Sequence, residues 1–315
     1  MTSRWTTRIG WEQLPGHVRG AVNEILDSPV VEATGQQGGF SPGTADRTLT
    51  ANGRRAFVKA VGEPLNKESP RIHRAEAKIA ASLPDTLPVP KLIGSYDANS
   101  WVALVFEDIA GSHPQTPWVA TELTVVLNSL QKLSDLEVPD SLSQLPKLHT
   151  ELASDFSGWE RIHDDPPRTL DPWARENLQR LRDLARIGLT HLEGQTLVHS
   201  DIRSDNILLT DEHIAILVDW PWACLGAPWF DALSVLLNVR VHNSEFDVDT
   251  IIQNHQIFAT MTPECVDGFL AGMAAYFIDS ARLPAPARLP TLRAFQQDQG
   301  DAAISWLRDR LSATS

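Results

Sequence analysis

Residues 197–209 read Leu-Val-His-Ser-Asp-Ile-Arg-Ser-Asp-Asn-Ile-Leu-Leu, and the apolar run that follows ends Ile-Leu-Val-Asp at Asp219. His199, Asp201 and Asn206 therefore stand in a His-x-Asp-x4-Asn pattern, with Asp219 thirteen residues after Asn206. Metal-assisted phosphoryl transfer from ATP needs these residue types in this order. One carboxylate, Asp201, stands at the attacking hydroxyl and accepts its proton. An amide oxygen, Asn206, and a second carboxylate, Asp219, are hard oxygen ligands for Mg2+, which keeps other positions for phosphate oxygens. His199 is expected to pack and hydrogen-bond inside the loop rather than act as the base.

Phosphate handling points further upstream. Phe57-Val58-Lys59 closes an apolar run that follows the glycine-dense stretch 35–43. A lysine on the inner side of such a strand can hold the α- and β-phosphates. Glu76, seventeen residues on and followed by Ile79, Ala80 and Leu83, is the expected partner, with Glu63 and Glu68 as nearby alternatives. Gly38, Gly39 and Ser41 are expected to cap phosphates from a loop that departs from a strict Gly-x-Gly-x-x-Gly; backbone amides at a turn suffice for that.

These groups need elements to hold them. Val18, Val22, Ile25 and Leu26 have helical spacing. Thr48–Ala51 and Ala56–Val61 read as strands joined at Asn52-Gly53, two residues that accept positive φ. Residues 71–83 read as a helix stopped by Pro84. Residues 87–93 and 101–106 read as strands around a turn at 97–99. Residues 121–136 and 173–192 have long helical periodicity. Residues 196–198, 207–209 and 214–218 read as short strands, and helices dominate again from Phe230, with a proline-rich break at 283–290. The expected class is α+β and bilobal: residues 1–110 form a nucleotide-binding lobe with an antiparallel sheet and one main helix, and residues 111–315 a mainly helical catalytic and acceptor-binding lobe.

This constellation resembles the aminoglycoside phosphotransferase family, the small-molecule branch of the protein kinase-like superfamily, over residues 35–236. Pro88-Val89-Pro90-Lys91 is similar to a stretch usual in that family. Asp219-Trp220-Pro221 stands where protein kinases carry Asp-Phe-Gly. Gly226-Ala-Pro-Trp-Phe-Asp231 follows within a dozen residues, leaving no room for a long activation segment. The resemblance implies a catalytic base at Asp201, metal ligands at Asn206 and Asp219, and a phosphate-positioning pair at Lys59 and Glu76. It implies a hinge over 106–109, where backbone groups of Glu107 and Ile109 hydrogen-bond adenine. It also implies a buried Asp231 that ties down the catalytic-loop backbone. Arg203 is expected to help neutralise the transferring phosphoryl group.

Composition narrows the partners. Apolar residues make up 42% and charged residues 21%, which fits a folded chain. The net charge of −13 makes it a poor phosphate-backbone binder, so nucleic acid is not an expected partner. Residues 1–110 carry as many acidic as basic residues, so the whole excess falls in the second part. That excess serves either as a solvated surface or as an attractor for a cationic molecule. Cys224 and Cys265 read as reduced thiols, no secretory or membrane segment is evident, and a cytoplasmic location with no membrane and no obligatory protein partner is expected. Trp220, Trp222 and Trp229 are either core or an aromatic wall for the acceptor. Asp247, Asp249, Glu264, Asp267 and Asp279 are either surface charges or amine ligands.

The resulting expectation is an ATP- and Mg2+-dependent transfer of the γ-phosphate to a hydroxyl of a small, cationic acceptor such as an aminoglycoside or other antibiotic. Two further readings stay open: a kinase of another small metabolite, such as an aminosugar or amino alcohol, and a non-catalytic nucleotide-binding regulator.

Overall fold

Helical spacing of Val18, Val22 and Leu26 produces α1 (Gly16–Leu26) in the computed structural model, which describes residues 8–36, 41–242, 246–286 and 289–313. Then come β1 (Val30–Gly35), β2 (Thr44–Thr50), β3 (Arg55–Gly62), α2 (Ser69–Ala80), β4 (Leu92–Ala98) and β5 (Trp101–Glu107). The strands form one antiparallel sheet in the order β1-β2-β3-β5-β4. Ala56, Val58, Ala60, Trp101, Ala103 and Val105 face one way and bury against Val18, Val22 and Leu26 of α1. Val102, Leu104 and Phe106 face the other way and meet Phe57, Leu92 and the α2 residues Ala77 and Ala80. A strand apolar on both faces, such as β5, belongs inside a layered arrangement of this kind.

Local chemistry sets the boundaries. At α2, Asn66 Oδ1 accepts the amides of Glu68 and Ser69 at 2.9 and 3.0 Å, and Pro70 lies in the first turn, where its missing N–H costs nothing. The helix ends at Ala80, short of the expected residue 83. The strand expected over 87–93 begins only at Leu92, because Pro88 and Pro90 cannot donate to a ladder. Its turn falls at Asn99-Ser100, with φ of 52° and 63°, rather than at 97–99. That pair of left-handed residues matches the twist of a two-residue hairpin. At the β2–β3 turn only Gly53 takes positive φ.

Onward the chain forms α3 (Ala120–Ser134), α4 (Leu148–Glu151), α5 (Ala153–Phe156), α6 (Gly158–Asp164), α7 (Pro172–Glu176) and α8 (Leu178–His191). The single helix expected over 173–192 is broken at Asn177, whose φ of −109° lies outside the helical well. Short strands β6 (Thr196–Val198), β7 (Ile207–Leu209), β8 (Ala215–Leu217) and β9 (Cys224–Gly226) lead to α9 (Phe230–Val241), α10 (Val248–Asn254), α11 (Pro263–Ala281) and α12 (Leu292–Ala313). β6 pairs with β9, and β7 with β8. α11 is apolar almost all round and is accordingly buried. It meets α8 where Gly188 and Gly268 touch: a Cβ on Gly188 would lie 2.4 Å from the Gly268 backbone.

The described chain forms two compact units that are not simply successive. One holds the residues up to His113 and takes back Asp205–Trp222; the other holds Pro114–Ser204, Ala223–Pro286 and the chain from Thr291. The expected division after Ala110 falls three residues before the first crossing, between His113 and Pro114. The β7–β8 hairpin returns to the sheet unit because Leu217 N donates to Pro88 O at 2.8 Å. Ser112 and Leu209 also exchange two backbone bonds at 2.8 and 3.0 Å.

Candidate active site

In the sheet unit, alternation along β3 sends Val58 and Ala60 under α1 and Lys59 to the α2 side. There Lys59 Nζ donates to Glu76 Oε1 and to Asp219 Oδ1, both at 2.7 Å, and lies 5.9 Å from the Phe106 ring centre. Glu76, not Glu63 or Glu68, is therefore the partner; Glu68 instead faces Arg71 at the surface. Burial pushes Glu76 up to about 7, with Asp219 adding to the shift and Lys59 and the Trp220 main chain opposing it. Burial alone would lower the Lys59 pKa, but Asp219 and Glu76 outweigh it and hold the ammonium charged. One ammonium shared by two carboxylates leaves the more buried of them, Glu76, as the group that takes up a proton.

Asn206 and Asp219 flank the open end of the β7–β8 hairpin, where Val218 N donates to Asn206 O at 3.0 Å. Asn206 is buried, whereas the Asp219 side chain is 39% exposed and its backbone is left-handed, with φ of 71°. Among the described residues no group of three or more His, Cys, Asp or Glu side chains is placed to hold a metal ion. A cation here depends on one amide oxygen, one carboxylate and oxygens brought by a ligand. That sparse, hard donor set fits Mg2+ beside a nucleotide.

In the helical unit, the loop after β6 is held from behind. Asp231, in the first turn of α9, accepts the His199 amide at 2.7 Å and the Ser200 amide at 3.0 Å. Burial raises the Asp231 pKa, although His199 and both amides oppose that shift. Ser200 is left-handed, with φ of 70°, and this reversal presents Asp201. His199 is fully buried and its Nδ1 accepts the Asp201 amide at 3.3 Å, the packing role expected of it. The Asp201 carboxylate is 31% exposed and bonded by the Arg203 guanidinium, which lies 5.6 Å from the Phe295 ring centre.

Two further titratable groups lie nearby, Tyr276 close to this pair and Asp155 close to Tyr276. Burial pushes the Tyr276 hydroxyl up to about 12, with Asp155 and Asp201 adding and Arg203 and Arg293 opposing. Asp155 has no ion-pair partner among the described residues. Its pKa is raised by burial, with Arg161 opposing and Asp279 and Glu151 adding. No sequence signal marked Tyr276, which sits in an evenly apolar helix, or Asp155, which sits in a four-residue one.

Other expected residues fall as follows. Gly38 and Gly39 lie outside the described residues. Ser41 Oγ accepts from Gly43 N at 3.4 Å. Glu107 N donates to Lys91 O at 2.9 Å, and Ile109 O accepts from Arg47 at 3.2 Å. Trp220 and Trp229 are core residues and form no wall; only Trp222, 44% exposed, is open to a ligand. Asp279 is taken by Arg161 and Arg282, and Asp249 and Asp267 by Arg310. Asp247 caps α10 through Thr250. These four carboxylates are therefore already engaged within the chain. Cys224 and Cys265 are buried and form no disulfide. Among the described residues no helix is long and apolar enough to cross a membrane.

A family profile described as "Phosphotransferase enzyme family" matches residues 33–267. No curated protein matches the sequence. Among solved structures, a thermostable mutant of the aminoglycoside phosphotransferase APH(4)-Ia, in ternary complex with ADP and hygromycin B, aligns at 16% identity and a TM-score of 0.59. That alignment covers 94% of this chain and 97% of the other. A spectinomycin phosphotransferase, APH(9)-Ia, in complex with ADP and spectinomycin, aligns at 14% identity and 0.60, covering 91% and 97%. The choline kinase LicA from Streptococcus pneumoniae aligns at 14% identity and 0.55, covering 95% and 100%. The α+β architecture is thus that of kinase-like small-molecule phosphotransferases.

Proposed function

The chain belongs to the phosphotransferase enzyme family, and from that premise we propose that it moves the γ-phosphate of ATP to a hydroxyl of a small, cationic molecule such as an aminoglycoside or another antibiotic. The observation that carries this reading is Lys59 held between Glu76 and Asp219, a phosphate-binding ammonium poised beside a carboxylate that can hold a metal. In this reading Lys59 donates to the α- and β-phosphates while Glu76 keeps it in place. Asn206 and Asp219 hold Mg2+, which supplies charge neutralisation at the phosphate oxygens. Gly38, Gly39 and Ser41 cap the phosphates. The Glu107 carbonyl and the Ile109 amide read adenine, since the Glu107 amide and Ile109 carbonyl are already engaged. Asp201 accepts the proton of the attacking hydroxyl, and Arg203 steadies the carboxylate and then the transferring group.

Asp155 and Tyr276 support a cationic acceptor. A half-buried carboxylate that makes no ion pair among the described residues, close enough to the Tyr276 hydroxyl to act on it, suits an ammonium. The same set suits an amino alcohol, the second reading, which the likeness to a choline kinase favours. Two buried thiols fit a reducing compartment such as the cytoplasm.

The test is ADP release from Mg-ATP across aminoglycosides, peptide antibiotics, macrolides, aminosugars and amino alcohols, with Asp201→Asn as the blank. Turnover of one acceptor class well above that blank supports the proposal. Asp201→Asn turning over as fast as the parent chain overturns it.

A further inference from the structure

The segment leaving β5 carries a charge arrangement that none of these roles uses. Asp108 lies between Glu107 and Ile109, and its side chain is only 3% exposed. Two guanidiniums from the neighbouring hairpin reach it. Arg47 of β2 donates from Nε to Oδ1 at 2.7 Å and from Nη2 to Oδ2 at 3.1 Å; Arg55, at the start of β3, donates from Nε to Oδ2 at 3.0 Å. Arg47 Nη2 also donates to the Ile109 carbonyl at 3.2 Å. Arg47 therefore grips the chain at two points that bracket the 108–109 peptide. On the other side, the Glu107 amide is fixed by Lys91 O at 2.9 Å. Register pairs Arg47 with Phe57 and Ala45 with Lys59, so Arg47 and Lys59 project from the same face of the sheet.

Packing does not call for this. Withdrawing a carboxylate from water is costly, and an apolar residue would fill the space as well. Three charge-assisted bonds onto one carboxylate, two of them from one planar fork, fix orientation as well as position.

We propose that Arg47, Asp108 and Arg55 are positioning residues that hold the 108–109 peptide, and with it the Ile109 N–H, ready to read the nucleotide base. The proposal rests on the nucleotide-binding reading above. A peptide ordered before the ligand arrives costs less to order on binding, so the cluster raises affinity for the base and leaves the phosphate sites untouched.

The experiment measures binding of Mg-ATP and of Mg-tripolyphosphate, which has no base, by calorimetry. Asp108→Ala and Arg47→Lys are compared with the parent chain, and thermal melting reports their folding. The expected result is about tenfold weaker Mg-ATP binding in both variants with tripolyphosphate binding unchanged, because a lysine cannot make the two-pronged contact. Equal weakening of both ligands shows general damage and overturns the proposal, as does Arg47→Lys binding Mg-ATP like the parent. If the parent chain binds tripolyphosphate but gains nothing from the base, the clamp fails while the phosphate-site reading stands. If it binds neither, the nucleotide-binding reading falls first.

Discussion

Asp231→Asn tests how the loop bearing Asp201 is held. In the parent, one buried carboxylate accepts the His199 and Ser200 amides at 2.7 and 3.0 Å. Hydrogen bonds to a charged acceptor contribute roughly 1.5–3 kcal/mol each, and an orphaned buried amide costs a similar amount. Asparagine keeps one acceptor oxygen and turns an NH2 group towards the other amide, so the expected loss is about 2–4 kcal/mol in urea denaturation at pH 7. Those two bonds also hold Ser200 at a φ of 70°, a left-handed conformation that costs a serine roughly 1 kcal/mol. Losing them lets Ser200 relax and recover that strain. In a Ser200→Gly background there is no strain to recover. The Asp231→Asn loss should therefore be larger there by about 1 kcal/mol, and the extra freedom of glycine in the unfolded chain cancels in the double-mutant cycle. Turnover should move the other way: Asp231→Asn loses about tenfold or more in kcat, and Ser200→Gly restores part of it, because glycine enters the left-handed region unaided. Additive stabilities with no restoration of kcat would mean that something other than Asp231 sets the loop.

Lys59→Met removes the cation between two carboxylates and should destabilise the chain by about 3 kcal/mol at pH 8. The deficit should shrink towards pH 6, where Glu76, already near 7 with Lys59 present, takes up a proton; a flat pH profile rejects this. His73 of α2 is held at about 3 by burial and then by the charge of Lys59, so it stays neutral in the folded chain while the unfolded chain protonates it below about 6.5. Its contribution is present above that pH and is lost on acidification, about 2 kcal/mol by pH 5. His73→Gln should remove this part of the slope in urea titrations at pH 8 and pH 5. Trp220→Ala should cost about 3–5 kcal/mol and Trp222→Ala under about 0.5 kcal/mol by the same denaturation, since one is core and the other exposed. Equal destabilisation by Trp222→Ala would mean that its ring is packed rather than exposed.

The sequence showed the chemistry more clearly than the scaffold. Lys59, Glu76 and Asp219 are distant along the chain, yet Lys59 alternates with apolar neighbours inside β3, Glu76 lies on a helix face and Asp219 follows a short apolar strand. β1 carries no strand signal in the sequence because its burial is shallow and irregular. β2 was found only at its end, because Thr44, Asp46, Thr48 and Thr50 put polar groups on its buried face. Such a strand lacks the usual alternation: Thr48 Oγ1 bonds Ala56 O at 2.9 Å and Thr50 Oγ1 bonds Arg54 O at 3.0 Å, so hydroxyls serve where methyl groups would be expected. The tryptophans and acidic residues of the second half were ambiguous for another reason. Composition cannot say which carboxylate a distant arginine will claim, and Arg310, Arg161 and Arg282 claim three of them.

The return of Asp205–Trp222 to the sheet unit bears on how the chain emerges from the ribosome. When synthesis reaches His113, all five strands of the sheet exist, yet the unit is unfinished. The Pro88 carbonyl still lacks its donor from Leu217, and Lys59 has only one of its two carboxylates. Both arrive only after more than a hundred further residues have been made. A fragment cut at His113 is therefore expected to be a poor stand-alone nucleotide binder, and splitting the protein there should yield halves that regain function only when expressed together.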